Sequence, residues 1–118
     1  MNKEKAMEWV ARLRSGKYKQ GKSVLNRNDE FFCCLGVLSE IAFEDNIVTK
    51  TKGLRNMIYY NTCFGGLPNI IKEKYEMKSE GIFCNTQDQN CSLAYMNDNL
   101  VKSFDEIADY IEANWEKL

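Results

Sequence analysis

The segment from Phe31 to Glu44, FFCCLGVLSEIAFE, is the most apolar stretch of the chain, and it constrains the fold more than any other feature. Cys34, Leu35, Val37, Leu38, Ile41 and Ala42 recur at helical spacing in a wide stripe, so the pattern predicts a central buried helix over 31–44. Gly36 inside it predicts a close helix contact. Such a helix needs covering elements, and both ends of the chain supply them. Ala6, Met7, Trp9, Val10 and Leu13 predict an amphipathic helix over 3–14 with Lys5, Glu8 and Arg12 towards solvent, stopped by Ser15-Gly16. Near the other end, Ser103-Phe104-Asp105-Glu106 reads as a capping box ahead of a helix that buries Phe104, Ile107, Ala108, Ile111 and Trp115.

Between these helices the patterns are shorter. Residues 17–28 are polar and predict a loop with a short strand. Ile47-Val48-Thr49 and Leu54 to Tyr60, with Lys52-Gly53 as turn material, predict a hairpin. Gly65-Gly66-Leu67-Pro68 breaks the chain before a short helix over 68–77 that buries Ile70, Ile71 and Tyr75. Residues 81–84 predict a strand, and 90–97 one or two helical turns that expose the polar corner Asn97-Asp98-Asn99. The sum is α+β: one domain over 1–118, with a small antiparallel sheet packed with about four helices.

Composition narrows the chemistry. Histidine is absent, which removes Ser-His-Asp and Cys-His nucleophile systems and imidazole metal ligands. Sixteen Lys and Arg against seventeen Asp and Glu leave a formal charge of -1, so no global basic field holds a nucleic acid polymer, and such a role would need a local patch. The five cysteines, Cys33, Cys34, Cys63, Cys84 and Cys91, form no C-x-x-C pair and read as reduced, mostly buried thiols, Cys33-Cys34 lying within the apolar helix. No segment is apolar for long enough to predict a signal peptide or a membrane span, and the expectation is a cytoplasmic protein.

Gly16-Lys17-Tyr18-Lys19-Gln20-Gly21-Lys22-Ser23 matches the phosphate-loop pattern G-x-x-x-x-G-K-[ST] letter for letter. That loop must follow a strand and open a helix, whereas here a helix precedes it and the polar stretch Val24 to Glu30 follows, so a solvated turn is the better reading. Asp105, Glu106, Asp109 and Glu112 fall opposite the apolar face of the last helix and read as a solvated surface. Tyr59, Tyr60, Phe64, Phe83 and Tyr95, near amides and the isolated Arg27 and Arg55, are the ingredients of a nucleotide pocket: rings that stack on a base and guanidinium groups that grip phosphate.

Three blocks carry a resemblance: Trp9 to Gln20 (WVARLRSGKYKQ), Phe32 to Leu38 (FCCLGVL), and Leu93 to Asp98 (LAYMND) with Ser103 to Glu112 (SFDEIADYIE). They resemble a family of small phage and prophage proteins, which we identify with the Thoeris anti-defence sponges. Those proteins sequester the cyclic ADP-ribose isomers made by bacterial TIR-domain enzymes, and relatives capture cyclic oligonucleotides of CBASS defence. The resemblance implies stoichiometric binding in the bacterial host cytoplasm, without turnover or cofactor, by a homodimer or a higher oligomer of dimers. It also implies a site: Phe83 stacking on the base, Asn97 and Asp98 contacting base or ribose, and Arg27 and Arg55 holding phosphate. Two other readings stay open, a phage protein that inhibits a host protein through an exposed aromatic surface and a nucleotide-processing enzyme.

Overall fold

Asn2 opens the first helix, α1 (Lys3–Arg14), where its side-chain oxygen accepts from the Lys5 N–H and satisfies one of the donors that a helix start leaves free. The computed structural model describes residues 1–80 and 92–118, and of 81–91 only the backbone of 83–85 and 88–91. α1 buries Ala6, Trp9, Val10 and Leu13, as their spacing predicts, and ends at Ser15 before Gly16, whose φ of 74° turns the chain. Among the described residues, five α-helices and a set of short strands follow one another in an α+β fold. The radius of gyration is 13.2 Å. A single folded unit of this length is expected at about 13.5 Å.

The buried helix α2 spans Cys34–Glu44, three residues shorter at its start than the apolar run predicts. Phe31-Phe32 instead form β3, held between β1 (Lys19–Gln20) in parallel and β2 (Asn26–Arg27) in antiparallel. Cys33 is the cap residue and Cys34 the first of the helix, so the cysteine pair sits at the helix start rather than within it. Helical spacing and strand pairing compete for the two phenylalanines, and the sheet takes them because their backbone groups find partners on both sides. Gly36 does mark a close contact, but with the backbone of the 17–28 segment rather than with a helix: a Cβ there would stand 1.6 Å from the Leu25 carbonyl oxygen. The Trp9 indole N–H donates to the Cys34 carbonyl at 2.9 Å and fixes α1 to the start of α2.

The predicted hairpin is present with its first strand three residues later: β4 (Lys50–Lys52) pairs with β5 (Ile58–Tyr60) across a 3-10 turn at Leu54–Asn56. Arg27 bridges to Met57 and joins this hairpin to the three-stranded sheet. A closed polar ring ties the same elements to α2. Asn26 Nδ2 donates to the Tyr60 hydroxyl and to Asp29, Tyr60 donates to Glu40, and the Lys50 ammonium lies 2.9 Å from Glu40 and 2.6 Å from Asp29.

The third helix, α3 (Asn69–Lys74), is shorter than predicted, although Ile71 and Tyr75 are buried as expected. The backbones of β6 (Phe83–Asn85) and β7 (Asp88–Cys91) pair antiparallel, and α4 (Leu93–Asp98) starts at the Ser92 cap. The last helix, α5 (Phe104–Asn114), carries both halves of the capping box and packs Ile107, Ala108 and Ile111 into the core that it shares with α1. Among the described residues, no helix is long and apolar enough to cross a membrane.

Candidate functional site

The short α4 points its last turn at the edge strand β1 and the start of α2. Asn97, expected at an exposed corner, is instead 1% exposed, because every polar atom of its amide finds a protein partner. Its Oδ1 accepts from Gln20 Nε2 at 2.9 Å and from the Cys34 N–H at 3.3 Å, while its Nδ2 donates to the Gly21 carbonyl at 2.8 Å and to Asp98 Oδ1 at 2.7 Å. The Gln20 amide also donates to the Lys102 carbonyl at 2.7 Å. That carbonyl is brought into reach by Val101, a β-branched residue held at φ 52° in the left-handed region. The buried Asn97 amide thus ties β1, α2 and α4 together, Gln20 carries the link on to Lys102 ahead of the last helix, and backbone strain is stored beside it.

Next to this knot lies an open groove of about 260 Å³. One wall is the end of α1 and the turn after it, with Leu13, Arg14, Gly16 and Tyr18; the floor includes Gln20; the other wall is the first turn of α5 with Ser103, Phe104 and Asp105. Tyr18 is oriented by an edge-on contact with Phe32 at 5.1 Å, and its hydroxyl accepts from Arg12 at 3.1 Å. The Arg14 guanidinium meets Asp109 and Glu112, both at 2.6 Å, so its charge is shared with two exposed carboxylates. The groove therefore offers a ring, a guanidinium and a carboxylate around a floor whose amide cannot rotate away.

Of the residues the sequence singles out, Asn97 and Asp98 stand at the knot, Asn97 beneath the surface and Asp98 half-buried beside it. Arg27 and Arg55 are elsewhere: Arg27 is on β2, the opposite edge strand of the sheet from β1, and Arg55 is in the hairpin turn, both exposed. The Phe83 side chain lies outside the described residues. Sequence reasoning missed Arg14, Tyr18, Gln20 and Ser103 as a set. The available signal was that Tyr18 and Gln20 alternate with lysines after the helix stop, which aims them to one side of a strand.

The segment matching the phosphate loop is followed by β2 and β3, and the next helix starts only at Cys34, so Lys22 and Ser23 do not sit at a helix start. Burial pushes the Cys33 thiol up to about 11 and holds that of Cys34 well above its ordinary value, which keeps both protonated and unreactive at neutral pH. Among the described residues, no group of His, Cys, Asp or Glu could hold a metal ion.

The fold is thus that of a small α+β domain with a shallow polar groove beside a buried amide knot. More specifically, the family described as Domain of unknown function (DUF8296) matches residues 1–115, and the chain belongs to it. No curated protein and no solved structure matches the chain.

Proposed function

We propose that the protein is a nucleotide sponge: it binds and sequesters a cyclic ADP-ribose isomer, such as a glycocyclic ADP-ribose of phage defence signalling, without cleaving it. The observation that carries the reading is convergence. The three blocks that resemble the anti-defence sponges are distant in sequence, yet Gln20 from the first, Cys34 from the second and Asn97 from the third meet in one hydrogen-bonded knot beside the groove. The absence of histidine agrees with binding rather than turnover.

In this reading Tyr18 and Phe104 supply apolar contact to the base, Asp98 and Asp105 accept from ribose hydroxyls as carboxylates do in nucleotide sites, and Arg14 turns from its acidic partners to the pyrophosphate. A volume of about 260 Å³ falls below the range of about 300 to 1,000 Å³ that encloses a drug-sized ligand. A second copy of the chain therefore covers the rest of the ligand, in keeping with the oligomer that the resemblance implies.

Isothermal titration of the purified protein with cyclic ADP-ribose isomers tests this. Saturable binding of one isomer, weakened at least about tenfold in Arg14→Ala with its melting temperature nearly unchanged, is expected, since a charged hydrogen bond contributes about 1.5 to 3 kcal/mol. Absence of binding by every isomer, or equal affinity in the variant, contradicts the assignment.

A further inference from the structure

The near-zero net charge hides an asymmetry. Residues 9–28 and 46–72 contain no Asp or Glu, yet they carry ten of the sixteen Lys and Arg, six in the first segment and four in the second. The fold brings the two segments together. Arg27 bridges to Met57, the Leu25 N–H donates to the Phe64 carbonyl at 2.7 Å, and the Asn28 N–H donates to the Asn56 carbonyl at 2.7 Å. Arg12, Arg14, Lys19, Lys50 and Lys72 are held by carboxylates. Arg27, Lys52 and Arg55 are exposed and make no ion pair with any described residue.

Rings accompany these cations. Register across the three-stranded sheet sets Lys19 opposite Phe31 and Phe31 opposite Arg27, so the three side chains share one sheet face. Phe31 is 41% exposed there, with the Lys19 ammonium 5.8 Å from its ring centre. Phe64, 44% exposed, is propped edge-on by Tyr59 at 5.4 Å. The acids of the turn between β2 and β3 are already engaged, Asp29 by Lys50 and Asn26, and Glu30 by Lys19.

We infer that this basic and aromatic face, built on Phe31, Arg27 and Arg55, binds single-stranded nucleic acid. Exposed rings flanked by cations stack on unpaired bases while the guanidinium groups grip successive phosphates. A duplex hides its base faces, and an acidic protein surface would use the cations but leave the rings unmatched. Counterion release depends on local phosphate contacts, so a formal charge of -1 on the whole chain does not oppose it. The face lies across the sheet from the groove and is independent of the sponge reading.

Fluorescence anisotropy with a labelled single-stranded DNA of about 15 nucleotides, its RNA counterpart and the matching duplex tests the proposal on the full chain. Single strands are expected to bind with a log-log salt slope of about -1.4, the value for two phosphate contacts. Phe31→Ala should weaken binding roughly fivefold to a hundredfold and Phe31→Tyr should retain it. The pair Arg27→Glu and Arg55→Glu should weaken it at least about tenfold and flatten the salt slope, while Lys117→Glu, on the last turn, changes nothing. Melting curves that match the wild type confirm that each variant is folded. No binding at low salt, equal binding of the duplex, or unchanged affinity in the Arg27/Arg55 pair overturns the proposal. Competition by a cyclic ADP-ribose isomer that binds the groove also overturns it, because both ligands would then occupy one site.

Discussion

Position 36 accepts nothing larger than hydrogen, because the Leu25 carbonyl oxygen occupies the place of a Cβ. Backbone on both sides prevents relief, so Gly36→Ala is expected to destabilise by about 3 kcal/mol or more in chemical denaturation, the upper range for overpacking. Asn97→Ala strands the Gln20 and Cys34 donors and the Gly21 acceptor and should cost about 2 to 4 kcal/mol. Val101 works in the other direction: it is 66% exposed and strained at φ 52°, so Val101→Gly should raise stability by up to about 1 kcal/mol. The polar corner at Asn97 was legible in the sequence as a candidate site. Its burial was not, since the Gln20 that completes the knot lies 77 residues away.

Elements were legible in proportion to their length. The capping box of α5 and the apolar face of α1 follow from local rules and are present as read. Strands of two residues have no period to recognise, which is why the single short strand read within 17–28 is in fact two, β1 and β2, why β3 emerges only from its pairing, and why α2 starts later than its apolar run. The polar ring that joins β2, α2, β4 and β5 gives these short elements a pH dependence. Burial opposes ionisation of Asp29, but hydrogen bonds from Lys50 and Asn26 outweigh it and hold its carboxyl below the usual range. Its contribution is complete above the ordinary carboxylate pKa and is lost as pH falls through the lowered value. Burial likewise opposes the Lys50 charge, and Asp29 and Glu40 raise its pKa, so that contribution is complete below the ordinary lysine value and is lost as pH rises through the raised one. Stability followed by urea denaturation should therefore be flat in between and fall below about pH 4 and above about pH 10.5. Tyr60→Phe, which removes the hydroxyl between Asn26 and Glu40, should cost about 1 to 3 kcal/mol.

At the scale of the whole molecule, the α+β class and the single domain followed from one buried helix and two covering ones. The division of the surface into a groove on one side and a basic face on the other did not. Arg27 and Arg55 read as partners of Asn97 in one pocket because sequence order says nothing of which edge of a sheet a strand occupies, and β2 lies at the edge away from β1. If a second copy completes the groove, adding the bound nucleotide should shift the protein to a larger species in sedimentation velocity. Sequestration without cleavage is tested by mass spectrometry of the small molecule that copurifies from cells with an active TIR-domain defence enzyme. Release of an intact cyclic ADP-ribose isomer on heating, at about one per site, is the predicted result; a linear hydrolysed product, or no nucleotide, would contradict it.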